Sequence, residues 1–131
     1  MNLDSPVFHQ AAATNRPTIM GTKHVMVAGH YTAAHVGFAI LEAGGNAIDA
    51  GVAAGIAVGV LQSTAVNFGG VAPLIVYLAK TREVHCIDGL GVWPQAITPD
   101  YFQKHHGGKM PSGLLRCAVP AAPDAWITAL E

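Results

Sequence analysis

Residues 44–61, GGNAIDAGVAAGIAVGVL, decide the fold of this chain. The two glycines at the start end one helix, since glycine adopts the left-handed C-terminal conformation without a Cβ clash. Asn46 is the predicted cap of the next helix, and Asp49 lies in its first turn, where a carboxylate favours the positive end of the helix dipole. The rest of that helix is apolar on every side. We therefore expect it to be buried between two layers of an enzyme-like fold.

Three glycines, Gly51, Gly55 and Gly59, recur four residues apart along this helix. Each lowers helix propensity by about 1 kcal/mol relative to alanine. We expect this loss to be offset by the close approach of another backbone or a sheet. The alternative, a membrane-embedded helix pair, needs roughly 20 apolar residues. The apolar run from Ala50 to Leu61 is too short for that.

Composition excludes several classes of protein. With 131 residues the chain forms at most one domain, and 51% hydrophobic against 11% charged residues favours a buried core over disorder. The net charge is −1 and the basic residues are scattered, so no nucleic acid or membrane surface is an expected partner. Residues 1–20 lack the apolar segment of a secretory signal, so we expect a soluble, cytoplasmic protein. Cys86 and Cys117 have no metal-type spacing and are predicted to be buried free thiols.

Periodicity and turn residues predict helices and strands after an irregular segment, residues 1–20. The domain, residues 21–131, contains a strand at 24–28, a helix capped by Thr32, the helix capped by Asn46, strands at 73–79 and 84–88, a short helix at 99–104 capped by Thr98, a strand at 116–119 and a helix at 122–131. The two adjacent strands form a β-hairpin, so the predicted class is α+β with a helical layer on one sheet face. Because both hairpin strands are largely apolar, we expect the other face to pack against something outside this chain.

Few residues carry a chemical signature. The seven histidines lack the spacing and acidic neighbours of a metal site, and no cofactor-binding motif is present. Asp88 lies at the end of a predicted strand and is either a functional group or, as we favour, a loop cap that accepts backbone N–H bonds. The glycine pair within residues 67–70 is either an anion-binding nest or, as favoured here, a tight turn. The residues alone therefore predict no catalytic group, metal or cofactor in this chain.

Several segments, in order, resemble a known family. They are Arg16-Pro17, residues 24–28, GGNAIDAGVAAGIAVGVLQ (44–62), PLIVYLAKTREVHCIDG (73–89) and CAVPAAPDAW (117–126). The order and spacing are similar to the N-terminal part of the large subunit of the γ-glutamyltransferase family, from about residue 16 to the end.

This resemblance implies a fold, a mechanism and partners. The fold is the αββα sandwich of the N-terminal-nucleophile hydrolases, and this chain would supply its helix pair and one hairpin. The family's precursors cut themselves into two subunits, and the small subunit begins with a Thr whose own amine acts as base. The expected partners are therefore the rest of the large subunit and the small subunit that carries this Thr, in a hetero-oligomer acting on a small-molecule amide. The chain alone, lacking the nucleophile, is expected to be inactive.

One departure from the family concerns the substrate. Where γ-glutamyltransferases carry an Arg that pairs with the substrate's α-carboxylate, this sequence has Leu90, which cannot form a bidentate charge-assisted pair. The glycine run that precedes the first hairpin strand also differs from the family and reads Gly69-Gly70-Val71-Ala72. The resemblance implies that Leu90, Gly91 and Trp93 bind substrate, and that the acyl group is less charged and more apolar than γ-glutamyl.

Three functions remain open. The favoured one is an amidohydrolase or acylase whose substrate need not be γ-glutamyl. The second is a true γ-glutamyltransferase or glutathione hydrolase whose carboxylate-binding arginine comes from elsewhere. The third is a non-catalytic fragment or scaffold, which the missing nucleophile favours.

Overall fold

The computed structural model describes residues 18–131, so the predicted irregular segment lies mostly outside the described residues. The elements, in chain order, are helix α1 (Tyr31–Glu42), helix α2 (Ala47–Leu61), strand β1 (Leu74–Leu78), strand β2 (Glu83–Ile87), helix α3 (Pro99–His106), a short 3-10 helix (Leu114–Arg116) and helix α4 (Ala122–Leu130). The predicted α+β class is confirmed. No helix in residues 18–131 has both the length and the apolar character needed to cross a membrane.

Helix α1 begins two residues earlier than the predicted cap, Thr32, would allow. Its N-cap is His30, not Thr32, because the N–H of Thr32 donates to Nδ1 of His30 at 3.1 Å. The His30 imidazole thus accepts the capping hydrogen bond at the start of α1, and the Thr32 hydroxyl is not the cap. The helix ends as predicted: Gly44 has φ +93°, and the N–H groups of Gly44 and Gly45 donate to Leu41 and Ile40 at 3.1 and 2.9 Å.

Helix α2 begins with the predicted cap. The Asn46 side chain accepts from the N–H groups of Ile48 and Asp49 at 2.7 and 3.0 Å, and the Asp49 carboxylate accepts from the Asn46 N–H at 2.9 Å. This reciprocal capping box satisfies N–H groups that have no partner within the helix. Helix α2 is covered on two sides, by α1 at Ala50 and by α4 at Val52 and Gly55, so the predicted burial between two layers is confirmed in part. The burial is incomplete, since Gly51 is exposed and Val60 is 77% exposed.

Close packing falls on different glycines than the spacing suggests. A Cβ on Gly37 of α1 would lie 2.8 Å from Cε of Met26 and 2.9 Å from the carbonyl oxygen of Ala50 in α2. On Gly55 it would lie 3.4 Å from Nε1 of Trp126, whereas Gly51 has no neighbouring atom within 4 Å. The neighbour of Gly55 is a side chain and Gly51 has no neighbour, so the predicted close approach of another backbone or sheet is wrong at both positions.

Gly59 also faces backbone. An added Cβ there would lie 3.7 Å from Cα of Asn67, so a backbone does approach this position, as predicted, but not closely enough to require glycine. That distance is ordinary van der Waals contact, so the loop after α2 passes along the helix without crowding it.

The predicted hairpin is confirmed. Strands β1 and β2 pair antiparallel, from Leu74 opposite Ile87 to Leu78 opposite Glu83. Side chains alternate between faces, and Val76 is half-buried against the helical layer while Ile75 and Tyr77 are 80% and 61% exposed.

The outer face of the hairpin is apolar and uncovered in the described chain. Directly opposite residues share a face, so Cys86 lies beside Ile75 and Val84 beside Tyr77. We call these four residues the outer hairpin face. Cys86 and Cys117 are both exposed, so the prediction of buried free thiols is wrong. In β2, Ile87 is the one residue that is not exposed.

The core lies between α2, α4 and the inner face of the hairpin. Its buried members are Val52, Ala122 and Trp126, with Ile48, Ile56, Ala72, Leu74 and Ala129 packed around them. The ring of Phe68 meets Trp126 edge to face at a centroid distance of 5.0 Å, an arrangement that favours aromatic pairs. Trp126 thus joins the fourth helix to α2 and to the loop before β1.

Two predicted strands do not form. Residues 24–28 have no strand partner among the described residues, although their exposure alternates as in a strand. At residues 116–119 the chain instead makes a 3-10 turn that includes Arg116, and Cys117 is exposed. A strand needs a neighbour to accept its hydrogen bonds, and Val119 finds one such bond only, from its N–H to the carbonyl of Val92 at 2.8 Å.

The last two helices agree with prediction. Helix α3 starts after Thr98, whose Oγ1 accepts from the N–H of Tyr101 at 3.3 Å, and it extends two residues further than predicted, to His106. Helix α4 begins at Ala122 as expected.

Candidate substrate-binding loop

The segment that follows the hairpin, residues 88–93, contains all three predicted substrate-binding residues. We call it the 88–93 loop. Its first anchor is Gly89, which has φ +56° and whose carbonyl accepts from the N–H of Ala72 at 2.9 Å. A Cβ at this position would collide with the carbonyl of Ala72. Glycine is therefore required here both by the backbone conformation and by the close approach of the segment before β1.

The second anchor lies on the opposite side of the loop. Gly91 has φ +79°, and a Cβ there would collide with the carbonyl of Val119. The next residue, Val92, accepts the hydrogen bond from the Val119 N–H. The loop thus runs between the segment before β1 and the segment before α4, held by one backbone bond on each side.

A cavity of about 370 Å³ opens between the loop and the start of α4. Its lining residues are Ile87, Asp88, Gly89, Gly91, Val92, Val119, Pro120, Ala121, Asp124 and Ala125. The two carboxylates among them are its charged groups, and no Lys or Arg of the described chain lines it. The cavity wall therefore offers an approaching carboxylate no cationic partner.

The three predicted residues do not converge on this cavity. Gly91 lines it through its backbone, whereas Leu90 is absent from the lining and is 49% exposed. Trp93 is 37% exposed, and its ring packs on Phe102 of α3 at a centroid distance of 5.5 Å. Leu90 lies between two glycines with positive φ and is not part of the cavity wall, a placement that residue types alone do not reveal.

Sequence reasoning missed Val119 and Asp124 as parts of this region. Asp124 lies in the first turn of α4, where its carboxylate favours the positive end of the helix dipole, and it also lines the cavity. The signal available was the pair Pro123-Asp124, typical of a helix start, but nothing in the sequence placed that start beside the loop.

The tight turn predicted at residues 67–70 is confirmed. The N–H of Gly70 donates to the carbonyl of Asn67 at 3.0 Å. The Gly70 carbonyl then accepts from the N–H groups of both Ala121 and Ala122 at 3.3 Å. This turn fixes the start of α4 and, with it, one wall of the cavity.

The remaining polar groups to consider are the Asp88 carboxylate and the Arg116 guanidinium. None of the hydrogen bonds between described residues involves the Asp88 carboxylate, so the favoured loop-cap role finds no support there. Arg116, at the end of the 3-10 helix, donates through Nε to the carbonyl of Pro111 at 2.9 Å and so stabilises the turn that contains it. Within residues 18–131, no three His, Cys, Asp or Glu side chains come together as metal ligands would.

Comparison with known proteins connects this geometry to a family. A family model described as Gamma-glutamyltranspeptidase matches residues 33–131. A glutathione hydrolase proenzyme of Bacillus subtilis subsp. natto is 34% identical over 92 residues, which are 70% of this chain and 16% of that protein. The acylase ACY 1 proenzyme of Pseudomonas sp. (strain V22) is 33% identical over 141 residues, which cover 99% of this chain and 25% of that protein.

A solved structure agrees with the sequence comparisons. The chain resembles the crystal structure of Helicobacter pylori gamma-glutamyltranspeptidase with a TM-score of 0.76 and 29% identity, over 87% of this chain and 34% of that one. Fold and comparisons together place the chain in a family whose named members are hydrolases, acylases and transpeptidases. The chain belongs to the γ-glutamyltranspeptidase family, which confirms the resemblance, and it spans between a sixth and a quarter of these two curated relatives.

Proposed function

We propose that this chain forms part of an amidohydrolase or acylase of the γ-glutamyltranspeptidase family, acting on an amide whose acyl group is apolar and not γ-glutamyl. The nucleophile is an N-terminal Thr outside this chain. Its hydroxyl attacks the amide carbonyl, its own amine takes the proton, and the substrate's amine leaves. Water or an acceptor amine then releases the acyl group from the Thr ester.

One observation carries the choice of substrate: the 88–93 loop presents Leu90 where the family resemblance expects an arginine. A leucine offers no N–H donor to a carboxylate, and the neighbouring cavity contributes only acidic charges. A missing buried charge pair of about 2–5 kcal/mol corresponds to roughly a 30-fold to several thousand-fold loss for a γ-glutamyl substrate. The similarity to an acylase proenzyme along 99% of the chain supports the same choice.

The test compares two anilides in the complete, processed protein. We expect a neutral acyl anilide to be hydrolysed with a higher kcat/KM than γ-glutamyl anilide. Leu90→Arg should raise kcat/KM for the γ-glutamyl substrate at least about tenfold, since it restores a carboxylate partner. Leu114→Arg, at another exposed leucine, is the matched control and should change neither value. A clear wild-type preference for γ-glutamyl anilide would overturn the proposal.

The second candidate is a glutathione hydrolase whose arginine is contributed by another segment. The observation in its favour is the 34% identity to a glutathione hydrolase proenzyme. Under this alternative the wild-type enzyme prefers γ-glutamyl anilide and Leu90→Arg brings no gain, so the same assay separates the two.

We further propose that the rest of the αββα sandwich covers the outer hairpin face. Ile75, Tyr77 and Val84 expose apolar surface that water does not favour. The matching chain of the Helicobacter pylori enzyme is long enough to supply that cover, because this chain spans 34% of it. The partners are then the rest of the large subunit and the small subunit with the Thr. Mass spectrometry of native material should find a longer precursor or a co-purifying chain that begins with Thr. Finding neither would favour a non-catalytic scaffold.

A further inference from the structure

We propose that Phe102 of α3 is a positioning residue for acyl-group selectivity, acting through Trp93 on the 88–93 loop. The inference rests on the proposed function only for what the loop selects. That Phe102 holds the loop in place rests on the structure alone.

The loop needs a side-chain anchor because its backbone is permissive. Gly89 and Gly91 both have positive φ and carry no side chain to restrict them. One backbone bond holds each side, from Ala72 to Gly89 and from Val119 to Val92. The residue directly after the second bond is Trp93, and its ring packs on Phe102. This packing is what keeps the second bond in register.

Phe102 is the less exposed partner in the contact between the two rings. It is the buried member of α3, at 8% exposure, whereas Trp93 remains 37% exposed. The Phe102 carbonyl accepts from the N–H of Gly108 at 2.9 Å, which closes the end of α3. Thr98 caps the other end. Both ends of this two-turn helix are thus closed by its own hydrogen bonds, which hold Phe102 in place on α3, and the more exposed Trp93 packs on it.

Removing the Phe102 ring should free one side of the loop and not the other. In Phe102→Ala, Trp93 loses its ring contact, so the bond from Val119 to Val92 opens more often. The bond from Ala72 to Gly89 ties the other side of the loop to the segment before β1. Leu90 lies between the two anchors, so its side chain would take more positions and discriminate less between acyl groups.

Amide hydrogen exchange in the full-length protein tests the anchoring without any assay of activity. Phe102→Ala should speed exchange of the Val119 amide at least about tenfold relative to that of Ala72, which serves as the internal reference. Phe102→Leu, which keeps bulk in the helix, should give a smaller increase. Phe38→Ala, an aromatic truncation on α1, is the matched control and should leave both amides unchanged. Equal acceleration of both amides, or none, would overturn the inference.

Selectivity supplies the second readout. The ratio of kcat/KM for neutral acyl anilide to that for γ-glutamyl anilide does not depend on how much enzyme is folded. Phe102→Ala and Trp93→Ala should each move this ratio toward unity by about tenfold, and the double variant no further, because both remove one contact. Independent, multiplying effects would contradict this. A wild-type preference for the γ-glutamyl anilide would instead overturn the proposed function, while the exchange result would still decide the role of Phe102.

Discussion

The helical layer and the outer hairpin face differ in how completely this chain satisfies them. In the helical layer, Gly37 lets two helices approach until an added methyl group has no room, and Trp126 is buried against α2. In the hairpin, by contrast, Ile75 and Tyr77 of strand β1 project into solvent. Within residues 18–131 the helical layer is a finished interface, whereas the outer hairpin face is unfinished in the sense that no described residue covers it.

The comparison teaches that apolar sequence alone does not tell the two apart. Helix α2 and strand β1 are both nearly free of polar residues, yet α2 is packed on two sides and β1 on one side only. What distinguishes the finished side is shape: glycines and one large aromatic ring fit against a neighbouring backbone. The substitutions that follow act on one side or the other, and their effects should diverge accordingly.

Trp126→Ala should have the largest effect, because it empties the centre of the finished interface. Truncating a buried aromatic residue lowers the free energy of unfolding by about 3–5 kcal/mol. Urea denaturation followed by circular dichroism measures this loss. The control is Ile127→Ala on the exposed side of the same helix, expected to cost less than about 1 kcal/mol. Equal losses at the two positions would mean that α4 does not pack as described.

Gly37→Ala should be the next largest, with a destabilisation of about 1–3 kcal/mol from overpacking. The added Cβ would lie 2.9 Å from the Ala50 carbonyl, and a backbone atom of a neighbouring helix does not move aside cheaply. Thermal unfolding should show a lower Tm. If Tm rises instead, the two helices are further apart than the structure places them.

Gly51→Ala should have the opposite sign. No atom lies within 4 Å of the added Cβ, so alanine gains helix propensity, about 0.5–1 kcal/mol, without a clash. Gly55→Ala is the matched control one turn away, where Nε1 of Trp126 at 3.4 Å should reduce the gain. Comparing both variants in the complete protein sharpens the contrast. If the stabilisation by Gly51→Ala is lost in the complete protein, another segment of that protein covers this face of α2.

Much of the fold was predictable, because local signals set it. The capping box of Asn46 and Asp49 involves residues three apart, and Gly44 ends α1 through its own backbone conformation. The hairpin follows from two apolar runs joined by a short polar turn. Each of these features is decided by neighbours in sequence, where single-chain reasoning is most reliable.

What escaped prediction depends on distant partners. Residues 24–28 have the alternation of a strand, but no neighbour among the described residues pairs with them. The sequence does not predict that glycine is required at position 37, because the crowding atom is the carbonyl oxygen of Ala50, thirteen positions away. In the candidate site, Leu90 and Trp93 were found by resemblance. Their different placement in space was not, because Leu90 lies between two glycines with positive φ and Trp93 packs on a ring of α3.

The outer hairpin face should give the smallest effect of all. Tyr77→Thr keeps a residue that favours strands and removes no buried contact, so the free energy of unfolding should change by less than about 0.5 kcal/mol. Val76→Thr, next to it but on the inner face, buries a hydroxyl against the helical layer and should cost about 1–3 kcal/mol. Urea denaturation of both variants measures the difference between the faces. In the complete protein the gap should narrow, because Tyr77 is then covered and its loss removes buried contacts as well. A gap that stays the same would show that the outer face remains open after assembly, and that the second layer of the sandwich lies elsewhere.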